Sequence, residues 1–110
     1  MLEKLINRAE IIEDVLIADT FLSRFRGYML QKEPKHKAIL IKPCNSIHTF
    51  FMNFNIDVLF LNGDLEVVKK IEGLGRRKIV LPIKEAKMVL EGEAGLFEKI
   101  EIGDKICFNR

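Results

Sequence analysis

The segment 43–57 holds most of the reactive chemistry of this chain, in Cys44, His48 and Asp57. A cysteine near a histidine can form a thiolate nucleophile with its base, and a carboxylate that orients the imidazole would complete the set. The spacing works against that assembly. If Asn62-Gly63 makes a two-residue turn and Met52 lies opposite Asp57, then His48 and Asp57 share a face but stand roughly 13 Å apart along it, at about 3.3 Å per residue. A hydrolase or transferase using Cys44 or Asp57 with His48 therefore needs a different register. Plainer readings exist for each residue: Cys44 as a small buried side chain and possible reactive thiol, His48 bonded to backbone, and Asp57 as a hairpin carboxylate.

Metal and cofactor chemistry find less support. The chain has two histidines and two cysteines, His36 sits in a lysine-rich loop, and no pair has the close spacing of a zinc or redox site. Neither a metal nor a cofactor is expected. Gly73-Leu74-Gly75-Arg76-Arg77 matches neither a Walker loop nor a dinucleotide fingerprint. It does place backbone amides beside two guanidinium groups, so Arg76 and Arg77 are anion-binding candidates.

Charge is distributed unevenly. The net charge is +2, yet residues 69–87 carry seven basic side chains against Glu72 and Glu85, a local +5. Such a stretch attracts phosphate or an acidic partner within a screening distance of roughly 8–10 Å, or simply keeps a loop solvated. No aromatic residue interleaves these cations, so base stacking has no support, and nucleic-acid or polyanion binding through 69–87 stays a secondary alternative. Charges interrupt the first eight residues and no window holds 18 apolar residues, which reads as a cytoplasmic chain with no membrane partner.

The elements that must position these groups follow from periodicity. At 110 residues with 48% hydrophobic and 31% charged side chains, the chain fits one globular domain, 1–110. Ile11 to Ala18 is β-branched and leads to Asp19-Thr20, two good helix caps. Phe21, Leu22, Phe25, Tyr28 and Met29 then recur at helical spacing, predicting one short helix near residues 20–30. After it the helical period disappears. Short apolar runs at 38–41, 47–52, 56–61, 65–71, 79–81, 86–90 and 105–108 are separated by turn residues. The expected fold is mainly β, a small barrel or sandwich, with one further helical turn near 95–100.

Register divides the middle strands into two faces. Pairing Leu61 with Asp64 across Asn62-Gly63 opposes Phe60 to Leu65 and Val58 to Val67. Ile56, Val58, Phe60, Leu65, Val67 and Ile71 then form a core face. The second face gathers His48, Phe50, Met52, Asp57, Leu59 and Leu61, too apolar for plain exposure yet carrying an imidazole and a carboxylate. It is either covered by another part of the sheet or a binding surface.

With these residues in view, the chain resembles the prokaryotic family called domain of unknown function 192. The likeness runs from about Ile17 to Phe108. It rests on Ala18-Asp19-Thr20 with Arg24-Phe25-Arg26-Gly27-Tyr28-Met29, on Ser46-Ile47-His48-Thr49-Phe50-Phe51-Met52 with Ile56-Asp57-Val58-Leu59-Phe60, and on Val89-Leu90-Glu91, Ala94-Gly95 and Ile102-Gly103-Asp104. The family often has proline where this chain has Asn55. The resemblance implies an all-β, barrel-like single domain and no established reaction. Its motif positions here are Arg24, Gly27, Met29, His48, Thr49, Met52, Asp57, Glu91, Gly95, Gly103 and Asp104.

Arg24, His48, Thr49, Met52 and Asp57 are thus the ligand-binding candidates. The leading expectation is a non-catalytic domain that uses a mixed polar and apolar surface around His48 and Asp57, extended by Arg76 and Arg77. Its partner would be a small polar or anionic ligand or a protein segment; oligomeric state is not legible in the residues.

Overall fold

Alternating, uninterrupted apolar runs make strands here because β-branched and aromatic residues pack well on a pleated surface. The computed structural model describes residues 2–6, 11–18, 28–29, 31–34 and 36–109, with the side chains of 15–18, 28–29, 31–34 and 36–106. Among the described residues the strands are β1 (Leu2–Ile6), β2 (Ile11–Ala18), β3 (Ala38–Ile41), β4 (Ile47–His48), β5 (Ile56–Leu61), β6 (Val67–Leu74), β7 (Ile79–Val80), β8 (Met88–Glu93) and β9 (Cys107–Asn109). Seven form one sheet in the order β6-β5-β8-β3-β2-β1-β9, and β4 and β7 form a separate two-stranded ribbon. Only β2 and β3 run parallel. The helix expected near 20–30 falls largely on 19–27, which lie outside the described residues; Tyr28 and Met29 form a turn. The turn residues at 94–99 form successive turns, closed by Leu96 N–H on Glu93 O and Glu98 N–H on Gly95 O.

The mainly β expectation holds, but the sheet is not closed into a barrel. Its edges approach through the start of β6. Val67 N–H donates to Asp104 O at 2.9 Å, Gly103 N–H to Val67 O at 2.8 Å and Ile106 N–H to Leu65 O at 2.8 Å. That clasp stands where a full ladder would close a barrel.

The central strands are buried on both faces, as their continuous apolar sequences require. Every residue of β3 and β5 is buried. One face gathers Ala38, Leu40, Leu59, Leu61 and Leu90 beneath Phe97, Ile100 and Ile106. The other gathers Ile39, Ile41, Ile56, Val58, Phe60 and Val89 beneath Tyr28, Ile47, Met52 and Ala86. Phe97 and Ile100 are fully buried, each contributing about 2–3 kcal/mol by area removed from water. The β5 part of the second face, Asp57, Leu59 and Leu61, is therefore covered by the segment that carries Phe97 and Ile100, while His48, Phe50 and Met52 do not share that face.

Two details of register differ from expectation, both through side-chain competition for backbone groups. Asn62 Oδ1 accepts the N–H of Asp64 at 2.9 Å and of Glu66 at 3.0 Å, and Leu65 takes a left-handed φ of 64°. The hairpin loop is thus three residues rather than two, and Leu61 pairs with Val67, not Asp64. Residues 49–52, expected to continue a strand, instead turn, with Met52 N–H on Thr49 O at 3.2 Å. β4 consequently pairs with β7 and not with β5, so Met52 does not oppose Asp57.

Gly92 pairs with Ala38 on β3 and Asp57 on β5, and a Cβ there would lie 2.7 Å from Cζ of Phe97. Glycine and alanine together make the recess that Phe97 fills. Gly92→Ala should lower stability by about 1–3 kcal/mol in urea unfolding, because the buried ring has nowhere to retreat.

Candidate functional site

Asp57 sits on β5 between Ile56 and Val58, so its side chain shares the face of Leu59 and Leu61. It is 1% exposed. Its Oδ1 accepts the N–H of Gly73 at 2.8 Å, and its Oδ2 accepts those of Gly95 at 2.9 Å and Phe97 at 3.5 Å. Gly73, with φ of 60°, lies in a bulge of β6 where Ile56 and Val58 face Leu74 and Ile71. One carboxylate therefore ties the bulge to the turn that carries Phe97 over the sheet. It satisfies main chain rather than a ligand.

His48 lies on the other side of the molecule. Ile47 and Met52 pack with Val58 and Phe60, on the face of β5 that Asp57 does not share. The shared patch expected around His48 and Asp57 is thus divided by the sheet itself. Because β4 leaves for the ribbon, Cys44, His48 and Asp57 do not form a triad.

Around His48 the structure assembles something the residue order does not display. Thr49 is 1% exposed and joins two loops. Its Oγ1 donates to Gly75 O at 2.7 Å and accepts Lys78 N–H at 2.8 Å; its N–H donates to Lys78 O at 2.8 Å, and its carbonyl accepts Arg77 N–H at 3.3 Å. The Phe50-Phe51 turn is thereby locked beside the exposed Arg76, Arg77 and Lys78. Phe51 and Arg77 both adopt left-handed backbone, with φ of 67° and 60°. His48 Nδ1 accepts Phe50 N–H at 3.2 Å, and the two rings lie 5.8 Å apart. A groove of about 290 Å³ runs along the ribbon, lined by His48, Phe50, Ile79, Val80, Leu81 and Pro82, with Ser46 and Ile47.

The remaining candidates are dispersed. Met52 is buried in the core. Arg24, like the motif residue Gly27, lies outside the described residues. Cys44 is half-buried, its Sγ donating to Ser46 O at 3.0 Å, in a shallow pocket with Lys84 and Lys87. Among the described residues no group of three His, Cys, Asp or Glu side chains converges as metal ligands would, and no helix is long and apolar enough to cross a membrane.

Glu91 is a motif position that stands outside the ligand-binding candidates. It pairs with Ile39 and Val58 at the sheet centre and is 2% exposed. Burial pushes its carboxyl up from 4.5 to about 7, while the Tyr28 backbone N–H pulls it down. Oε1 has no partner among the described residues. The signal available in sequence was its position: two residues after Val89 on a strand flanked on both sides, it must share the valine's buried face.

Two measurements follow. Asp57→Ala strands up to three amides and should cost about 2–4 kcal/mol in chemical unfolding, with Asp57→Asn milder because its amide oxygen still accepts. For Glu91 the folded protein retains a proton that the unfolded chain has released between pH 4.5 and about 7. Stability therefore falls as pH rises through that window, by of order 3 kcal/mol. In Glu91→Gln this component of the pH dependence should vanish, read as the difference between the two unfolding curves.

Comparison with known proteins follows the same architecture. The family DUF192, described as Uncharacterized ACR, matches residues 4–108. A UPF0127 protein of Pyrococcus furiosus is 37% identical over 108 residues, covering 92% of this chain and 91% of that one. One from Pyrococcus abyssi is 42% identical over 99 residues, covering 84% and 83%. One from Thermococcus kodakarensis is 38% identical over 101 residues, covering 86% of this chain but 64% of its own length. Two solved structures share the fold. A protein of unknown function from Novosphingobium aromaticivorans superposes with TM-score 0.80 at 16% identity over 97% of this chain and 84% of its own. A Sinorhizobium meliloti protein described as a "putative transcription regulator" gives TM-score 0.84 at 18% identity over 98% and 94%. This chain belongs to the DUF192 family, whose curated relatives carry the name UPF0127.

Proposed function

We propose that the domain is a non-catalytic binding module whose β4–β7 tip holds an apolar segment of another protein. One observation carries the reading. Among the described residues five large apolar side chains are exposed, and four of them, Phe50, Phe51, Ile79 and Leu81, stand on this tip. Scattered exposed hydrophobes need no explanation, whereas a gathered patch with a polar rim marks an interaction surface. The rim here is Arg76, Arg77 and Lys78, for which no ion pair is present among the described residues, so they are available to acidic groups. A groove of about 290 Å³ is at the small end for a drug-sized ligand but suits one or two side chains of a docked chain. His48 lines that groove, and Asp57 takes no part in it.

Panning a random peptide library against the intact domain tests the proposal. Selected peptides should combine apolar with acidic residues, and Leu81→Asp or Phe51→Ser should weaken them at least about tenfold. Ile102→Asp, an exposed hydrophobe away from the tip, should leave binding unchanged. Peptides that bind Leu81→Asp and Phe51→Ser as well as the parent would overturn the reading. Retention on single-stranded DNA that fades with salt and with loss of Phe51 would replace it by nucleic-acid binding.

A further inference from the structure

We infer that the partner enters as an extended strand on the free edge of β7, and that it is an acidic segment alternating apolar with polar side chains. This rests on the tip being the binding face.

Hydrogen-bond alternation supports it. In an antiparallel pair, residues that exchange backbone hydrogen bonds alternate with residues whose N–H and C=O point away from the partner strand. Thr49 N–H donates to Lys78 O and Lys78 N–H to Thr49 Oγ1, so both backbone groups of Lys78 turn toward Thr49, as at a bonded position. The next pair, His48–Ile79, is then the non-bonded one, and Ile79 directs its N–H and C=O outward. The ribbon holds only β4 and β7, so among the described residues no strand meets that side of β7. Side chains follow the same alternation. Ile79 and Leu81 are 64% and 73% exposed, while Val80 between them packs into the core. An added strand would therefore find one backbone donor and acceptor flanked by apolar contacts.

Chemistry separates this occupant from two others. Lipid hydrocarbon offers the Ile79 amide and carbonyl no partner, so inserting the tip into a bilayer would leave both unsatisfied. A second copy would bring its own Arg76, Arg77 and Lys78, and the 69–87 stretch carries a local +5. Like charges would then meet across the junction. An acidic segment satisfies both constraints at once.

The test uses the intact ¹⁵N-labelled domain. The probe is a short synthetic peptide of alternating valine and glutamate; its comparisons are the same peptide N-methylated on alternate amides, in either register, and vesicles of phosphatidylglycerol and phosphatidylcholine. The expected result is slowing of Ile79 amide exchange by at least about tenfold at saturation, with one N-methylated register binding at least about tenfold more weakly. Arg76→Glu with Arg77→Glu should weaken the peptide by a similar factor and flatten its salt dependence. If the peptide shifts the Phe50 and Leu81 side-chain signals while Ile79 exchange is unchanged and both N-methylated peptides bind equally, strand addition is overturned and the binding face stands. Vesicles alone shifting those signals, or concentration-dependent dimerisation that protects Ile79, would assign the edge to lipid or to a second copy and overturn the inference. If no probe perturbs the tip, the binding face falls with it.

Discussion

Burial of β5 on both sides is the constraint from which the architecture follows. A strand reading Ile-Asp-Val-Leu-Phe-Leu has apolar groups above and below its plane, so neither face can be left to water. Each face acquires a cover from a loop-rich segment, and each cover is held by a buried polar residue whose partners are main-chain groups. Asp57 secures the Phe97 cover and Thr49 secures the ribbon that bears Ile47 and Val80. Loops cannot bury their own peptide groups unpaired, which is why polar side chains appear in these places at all.

The two ties differ in what they leave outside. Asp57 spends all its described contacts inward, and the segment it fixes presents few large apolar groups to solvent. Thr49 fixes a turn and a loop whose backbones are committed but whose side chains, two phenylalanines and three cations, project outward. A backbone that is already fixed spares binding the cost of ordering the main chain. Glu91 belongs to neither arrangement. It places an acid where the surrounding residues are Ile39 and Val58, and its burial disfavours the charged form.

Much of this order was legible in the residues. β3 and β5 were read at their observed bounds, because short, largely apolar runs between turn residues leave little choice. β1 was not read, since Glu3 and Lys4 break its apolar pattern and its pairing with β2 and β9 is tertiary. The Asn62-Gly63 turn was located correctly and measured wrongly, since an asparagine side chain that captures two amides lengthens the loop. The site was less legible for a definite reason: Thr49 and Gly75 are 26 residues apart, and no local pattern announces a hydrogen bond over that separation. Arg76 and Arg77 were attached to the His48 face as an extension, but the residues alone did not show that Thr49 is what joins them to the Phe50-Phe51 turn. His48 and Asp57, close in sequence, looked joined and are not.

The clasp between residues 103–106 and the start of β6 has a bearing on synthesis. The same stretch of chain runs on into β9, which pairs with β1. During translation β1 through β8 can emerge and collapse, but both margins of the sheet wait for one late segment to leave the ribosome. Until then the nascent domain exposes two raw edges, and its first opportunity to meet a neighbour wrongly falls within that interval.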